Sequence, residues 1–157
     1  MVASESAINI NAFRISNELF FEQIIPYLVK GQSVKISVAG NSMNPFLVHG
    51  DKITLMPIQE QDLKIGRIIL AKSSGIYILH RIVKLSDNDI YLAGDGNLAQ
   101  IEKIKKNEIM AIAYYVERNE KQIYLYSKGK LCLAKLWFFA RPFRIILNSL
   151  LRKSVKR

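Results

Sequence analysis

The sequence predicts a mostly β protein, with a short helix before the strands and a basic amphipathic helix after them. Between residues 34 and 126, short apolar or alternating stretches are separated by Gly, Asn, Asp and Ser residues that favour turns. Helical periodicity is confined to the two ends of the chain. Because 157 residues correspond to one domain, the strands are expected to form one compact β body.

The elements follow one another without long linkers. Residues 19–28 combine apolar and polar side chains at helical spacing and predict a short helix that ends near Gly31. Strands are predicted at residues 34–38, 52–56, 66–71, 76–85, 89–93, 109–116 and 122–126. Residues 1–127 are therefore predicted to form a single domain with its core in residues 34–116, followed by a separate tail of residues 128–157.

The tail differs from the body in charge. Of the 23 Lys and Arg residues, nine lie in residues 128–157, where there is no acid, and the other 14 nearly balance the 13 acids. The β body is therefore expected to have no general affinity for polyanions. We do not expect nucleic acid as a partner.

The tail also contains an amphipathic helix pattern that starts at Pro142, a favoured first helical residue. Its polar positions are Arg141, Arg144, Asn148, Arg152 and Lys156. The apolar positions are Phe143, Ile146, Leu147, Leu150 and Leu151, and Trp137, Phe138 and Phe139 come just before them. This pattern fits a helix in an anionic membrane interface, and it fits equally a helix folded onto the β body or onto a partner.

Few residues are available for metal or redox chemistry. Cys132 is the single cysteine, which excludes an internal disulfide and a cysteine-based metal site. The two histidines, His49 and His80, are too few for a multi-histidine site. We expect neither a metal nor a cofactor.

Residues 1–17 are polar and show no leader pattern, so a cytoplasmic location is expected, with the tail as a candidate for peripheral membrane contact.

Residues 40–51 carry the strongest functional signal. Ser42 lies between Gly40 and Pro45, directly after a predicted strand. Glycine permits unusual backbone angles, and proline fixes the exit from a turn. Such a turn exposes the serine hydroxyl and leaves neighbouring amide groups free to bind an oxyanion, which is the arrangement that acyl transfer needs.

A serine nucleophile also needs a general base within hydrogen-bonding distance. His49, His80 and a buried lysine are the candidates. His80 is favoured, because it shares a strand face with Ile78 and Ile82, and burial among aliphatic side chains keeps an imidazole neutral. Asp95, in a glycine-rich turn, either orients His80 or stabilises its own turn.

Three segments together resemble the signal peptidase I family and its relatives, the LexA-like self-cleaving repressors. Residues 40–51, with the pattern G-x-S-M-x-P-x-L-x-x-G-D, resemble the nucleophile box. Residues 79–83 (L-H-R-I-V) resemble the base-bearing box, with histidine as in the endoplasmic-reticulum and archaeal type. Residues 92–97 (L-A-G-D-G-N) resemble the G-D-N box, and the three segments occur in the family's order.

The resemblance implies a signal peptidase/LexA-like β fold and a Ser42–His80 dyad, with Asp95 close by. The substrate would be a peptide or preprotein, bound as an added strand beside residues 34–38 or 76–80. The family often has a further aspartate after the G-D-N box, whereas this chain has only Glu102.

The resemblance also implies an oxyanion site and a substrate groove. Many signal peptidases have a serine two residues before the nucleophile, and this chain has Gly40 there. The oxyanion site would then depend on backbone amides, chiefly that of Ser42, with Gly40 and Asn41 beside it. Met43 is placed at the substrate groove by the resemblance, and in a simpler interpretation it is a core residue beneath the turn.

Three functions remain open from the sequence. The first is a serine endopeptidase that cleaves leader-bearing or exported peptides after small residues. The second is LexA-like self-cleavage, although the only upstream Ala-Gly pair is Ala39-Gly40, within the nucleophile box. The third is a non-catalytic β scaffold whose basic tail docks on a membrane or a partner.

Overall fold

The computed structural model describes residues 17–98 and 100–154 and is mostly β. Three helices flank the sheet: α1 (Asn17–Val29), α2 (Lys128–Phe139) and α3 (Arg141–Ser154). The strands are β1 (Val34–Ser37), β2 (Lys52–Met56), β3 (Ile68–Ser73), β4 (Ile76–Leu85), β5 (Ile90–Ala93), β6 (Glu102–Ile104), β7 (Ile109–Arg118) and β8 (Lys121–Tyr124).

The strands form one antiparallel sheet that curls into a half-barrel. The strand order is β1-β2-β7-β3-β4-β5-β6, and β8 pairs with the last part of β7. The seven predicted strands are confirmed, with ends that differ by a few residues. The sequence does not predict β6, because three residues are too short to show an alternation. They form a strand because β5 offers a partner edge, with Ile90 opposite Ile104.

Buried side chains lie on both faces of the sheet, since the consecutive residues Ile68, Ile69 and Leu70 of β3 are all fully buried. The fully buried side chains of the core come from most of the strands and from the loop after β1: Leu47, Ile53, Leu55, Ile68, Ile69, Leu70, Ile82, Ile90, Leu92, Ile104 and Ile112. Each buried aliphatic side chain stabilises the fold by about 1.5–3 kcal/mol through removal of apolar surface from water. Helix α1 covers one end of this core with Phe21 and Leu28, which confirms the predicted N-terminal helix.

The tail contains two helices instead of the single predicted one. Helix α3 confirms the predicted amphipathic helix as far as Ser154, while the predicted polar position Lys156 lies outside the described residues. The boundary between α2 and α3 lies at Ala140. The sequence does not predict α2, because its exposed and partly buried apolar residues are spread around the helix and give a weak periodicity. Within the described residues, no helix is both long enough and apolar enough to cross a bilayer.

Candidate active site

The turn of residues 38–51, called the nucleophile turn here after the candidate nucleophile Ser42, lies between β1 and β2 and is closed by backbone hydrogen bonds. The Val38 amide donates to the Asp51 carbonyl oxygen over 2.7 Å, and the Gly50 amide donates to the Val38 carbonyl oxygen over 2.9 Å. Gly40 has a φ of +81°, a conformation that glycine adopts without a steric penalty. Ser42 is exposed at the top of this turn, as predicted, while Met43 is buried beneath it.

The other end of the turn is fixed by an ion pair. Asp51 is buried and accepts hydrogen bonds from the Val48 amide over 2.8 Å and from two nitrogen atoms of Arg118 over 2.8 and 2.6 Å. Arg118 also donates to the Phe46 carbonyl oxygen over 3.2 Å. The Arg118 hydrogen bonds hold the pKa of Asp51 below its usual value. The G-D end of the nucleophile box is therefore structural.

His80 is buried in β4 and is paired with a carboxylate. Its Nδ1 atom lies 3.0 Å from Oε2 of Glu102, which is also buried. An ionised carboxylate only accepts hydrogen bonds, so with Glu102 in that form Nδ1 is the donor, and a neutral ring would then carry its lone pair on Nε2. The arrangement leaves Nε2 as the nitrogen that can accept a proton from a nucleophile.

The second ring nitrogen of His80, Nε2, lies beside the nucleophile turn. A Cβ atom placed on Gly94 would lie 3.0 Å from Nε2 of His80 and 2.5 Å from the Ser42 carbonyl oxygen. The Gly96 amide also donates a 2.8 Å hydrogen bond to that carbonyl oxygen. The glycine-rich loop that contains Gly94 and Gly96 thus brings the Ser42 turn and the His80 ring together.

The structure overturns the interpretation of Asp95 as the acid that orients His80. Both Asp95 carboxylate oxygens accept hydrogen bonds from Arg81, over 2.9 Å from Nε and 2.7 Å from Nη2. Arg81 also donates to the Gly66 carbonyl oxygen over 2.7 Å. His80 and Arg81 are neighbours on one strand, so their side chains point to opposite faces of the sheet. Asp95 is on the Arg81 side, and Glu102 is on the His80 side.

A small apolar groove runs beside Ser42 and His80. It has a volume of about 240 Å³ and lies between β1 and the first half of β4. Both candidate catalytic residues line it, together with Phe20, Phe21, Ile36, Ser37, Val38, Ala39, Met43, Ile53, Tyr77, Ile78 and Leu79. The groove is therefore lined by the candidate nucleophile and base together with mostly apolar side chains.

The other candidate residues are placed as follows. Gly40 and Asn41 form the exposed start of the nucleophile turn, and the Asn41 carbonyl oxygen would lie 2.5 Å from a Cβ atom on Gly96. Met43 is both buried and part of the groove, so its two interpretations are compatible. His49 is exposed in the turn before β2. Within residues 17–98 and 100–154, no cluster of His, Cys, Asp and Glu is suited to hold a metal ion.

Sequence reasoning missed the contribution of the tail to this region. The Trp137 ring packs edge-on against Phe46 at 6.5 Å, and its Nε1 atom donates to the Asp95 carbonyl oxygen over 2.8 Å. Arg144 donates to the same carbonyl oxygen over 2.9 Å. The only sequence signal for these contacts was the row of aromatic residues before Pro142.

No protein-family model and no curated protein sequence matches this chain.

Proposed function

We propose that this chain is a serine endopeptidase of the signal peptidase type. In this proposal Ser42 is the nucleophile, His80 is the general base, and Glu102 orients His80. The observation that carries it is the buried His80–Glu102 pair, in which Nε2 of His80 adjoins the exposed Ser42 turn. The order of the three sequence boxes supports the same conclusion.

The reaction follows the usual course of acyl transfer. Nε2 of His80 takes the Ser42 hydroxyl proton as Oγ attacks the scissile carbonyl carbon, and it then donates this proton to the leaving amine. Water hydrolyses the acyl-enzyme by the same route. The Glu102 carboxylate stabilises the imidazolium that forms in both steps. Backbone amides of the turn, chiefly that of Ser42, would bind the oxyanion.

The groove suits a substrate in extended conformation. Val38 bonds to the β2 side, so by alternation the backbone groups of Ser37 face away from β2. On β4, the Asn17 side chain forms hydrogen bonds of 3.1 Å with both the amide and the carbonyl oxygen of Tyr77. Pairing of β4 with β5 begins only at Arg81. The backbone groups of Leu79 therefore face the groove. A substrate strand placed there would hydrogen-bond to β1 and β4 together.

The size of the groove favours small side chains at the cleavage site. Its volume of about 240 Å³ is shared between the substrate backbone and its side chains, and its walls are largely apolar. We propose cleavage after a small residue such as alanine. Large side chains would require movement of buried residues such as Met43, which has 2% of its surface exposed.

The location of the activity is also a proposal. A cytoplasmic site with peripheral attachment to an anionic membrane surface fits the charge pattern, because residues 128–157 carry nine bases and no acid. The described helices are not suited to span a bilayer, so such attachment would be to the surface.

The test is mutagenesis of the nucleophile and the base. We expect Ser42→Ala and His80→Ala to abolish cleavage of a mixture of synthetic peptides with alanine before the scissile bond. His49→Ala is the matched control and should retain activity, because His49 is exposed. New peptide termini are identified by mass spectrometry. Undiminished cleavage by the Ser42→Ala protein would refute the proposal, and an intact-mass measurement at raised pH separates it from self-cleavage.

A further inference from the structure

The C-terminal helix pair contacts the loop between β5 and β6 through its cationic and aromatic side chains. Arg141 is buried and donates to the carbonyl oxygens of Leu98 over 3.0 Å and of Gln100 over 2.8 Å. Trp137 and Arg144 both donate to the Asp95 carbonyl oxygen. The Arg144 guanidinium stacks on the Trp137 ring at 3.9 Å, which joins α2 to α3.

These contacts bear directly on the candidate active site. The loop they hold begins at Gly94, which lies against Ser42 and His80, and it ends at Glu102, which bonds His80. Burial lowers the pKa of Arg141, and the nearby Glu102 carboxylate opposes this effect. Displacement of α2 and α3 would therefore remove the hydrogen bonds to Asp95, Leu98 and Gln100 that hold this loop beside His80.

The opposite side of the helix pair is apolar and exposed. On α3, the exposed fractions are 76% for Phe143, 58% for Ile146 and 58% for Leu147. Leu133, Leu136 and Phe139 on α2 are also more than half exposed. An amphipathic helix normally buries its apolar face in its own protein, whereas α3 uses Arg141 and Arg144 to contact the body and leaves its apolar residues outside.

The apolar side chains of this surface and the bases beside them favour an anionic bilayer as its binding partner. Exposed Lys128 and Lys135 accompany the apolar residues, and four further bases occur in residues 152–157 with no acid in the tail. Apolar side chains that enter the acyl boundary, together with lysine and arginine beside lipid phosphates, are typical of helices that lie in a membrane interface.

We propose that an anionic lipid bilayer binds the exposed face of α2 and α3 and thereby activates the peptidase, because the same helices hold Asp95, Leu98 and Gln100 of the loop between β5 and β6 in their catalytic position. The inference rests on the proposed function of Ser42 and His80. Trp137, Arg141 and Arg144 are positioning residues in this scheme. By linkage, the factor by which lipid binding favours the ordered loop equals the factor by which the ordered loop tightens lipid binding.

Amide hydrogen exchange in the full chain tests the coupling without a substrate. With vesicles of phosphatidylcholine and phosphatidylglycerol, we expect binding by sedimentation and slower exchange in residues 95–102 by roughly tenfold, within the ordinary range of coupling between sites. Vesicles of phosphatidylcholine alone should give much weaker binding. Equal binding to both compositions, or binding with unchanged exchange of the loop, would overturn the inference.

Two sets of variants separate the docking surface from the contacts with the loop. Phe143→Asp with Leu147→Asp should lose vesicle binding and the slowing of exchange, whereas Val29→Asp, at an 81% exposed position on α1, should lose neither. Arg141→Gln with Arg144→Gln should still bind vesicles but show faster exchange of the loop. Retention of binding by the Phe143/Leu147 variant would overturn the assigned surface.

A fluorophosphonate probe then reports on the serine itself. Its phosphorus bonds to Ser42 Oγ, fluoride leaves, and the hydroxyl proton passes to His80. We expect faster labelling of Ser42 when anionic vesicles are bound, and no such increase in the Arg141/Arg144 variant. If anionic vesicles slow the exchange of the loop but Ser42 is not labelled with or without vesicles, the proposed peptidase function is contradicted. If Ser42 is labelled at the same rate with and without vesicles, activation by lipid is overturned.

Discussion

Glu102 shows how strand register decides the role of a single residue. Ile82 pairs with Leu92, and Leu92 pairs with Glu102, so the three share one face of the sheet. His80 is two residues before Ile82 and points to that same face. Glu102 therefore reaches His80, although Asp95 lies closer to it in sequence.

The first prediction concerns this carboxylate. Glu102→Gln keeps the side-chain shape but removes the charge that would stabilise the imidazolium in the proposed mechanism, so kcat should fall by about 10²- to 10⁴-fold with little change in KM. Asp87→Asn, the same kind of change at an exposed turn, should leave both constants unaltered. Steady-state kinetics over a range of pH measure the effect.

A merely structural role for Glu102 would give a different result. Loss of folding would lower the amount of active enzyme without a new dependence on pH. A positioning role instead changes the pH profile of kcat/KM, because the imidazole loses its anionic partner. An unaltered profile with full kcat in the Glu102→Gln protein would contradict the assignment.

At the scale of elements, the loop that contains Gly94, Asp95 and Gly96 packs against the nucleophile turn without space for a side chain at either glycine. Neither Gly94 nor Gly96 has a φ in the left-handed region, so their backbone angles do not explain the choice of glycine. The explanation is close approach. A Cβ atom on Gly94 or on Gly96 would lie 2.5 Å from a backbone oxygen of the nucleophile turn.

The second prediction follows from this packing. Gly94→Ala and Gly96→Ala should each lower the free energy of unfolding by about 1–3 kcal/mol, because the contacted atoms belong to the backbone and cannot rotate away. Gly129→Ala is the control: among the described residues, no atom beyond its chain neighbours and the backbone of its own helix lies within 4 Å of its Cβ position, and alanine favours a helix. Urea unfolding compares the three proteins.

The two loops also predict how activity responds to these changes. Because Gly94 separates the Ser42 carbonyl oxygen from the His80 ring, Gly94→Ala should reduce cleavage even at temperatures where the protein remains folded. Equal stability of the Gly94 and Gly129 variants, or full activity of the Gly94 variant, would show that the loops do not pack as described.

At the scale of the whole molecule, Asp51 and Arg118 link parts of the chain that are far apart in sequence. The pair joins the nucleophile turn to the end of β7, and its closest contact is 2.6 Å. Breaking this ion pair affects the closure of the turn and the attachment of β2 to β7 together. The result should therefore appear in global unfolding and not only at the site.

The third prediction is a dependence of stability on pH. The pKa of Asp51 is lower in the folded protein than its value of 3.8 in the unfolded chain, so its contribution is complete above that value and is lost as the pH falls through the folded-state pKa. Asp51→Asn should lower the free energy of unfolding by about 1–3 kcal/mol at neutral pH. The difference from the parent protein should shrink in acid.

Chemical denaturation at a series of pH values measures this difference. The partial exposure of Arg118 favours the lower end of the expected range, because water and salt weaken an exposed charge. A loss of stability that is the same at neutral and acid pH would show that the Asp51 carboxylate acts through its shape and not through its charge.

Much of the fold and part of the candidate site were predictable from local sequence. Alternating residues gave seven of the eight strands, and the Gly40–Pro45 segment gave an exposed serine at a strand end. His80 was correctly expected to be buried, since its strand face is aliphatic. These features depend on a few neighbouring residues, whose backbone preferences and spacing are written in the chain itself.

Tertiary structure alone decided which distant groups meet. The pairing of His80 with Glu102 and of Arg81 with Asp95 depends on strand register, which apolar alternation does not specify across a loop. The sequence pattern of α3 likewise defines an apolar and a polar face but does not specify which of the two packs against the β body. Contacts between residues far apart in sequence determined that Arg141 and Arg144 face the loop between β5 and β6.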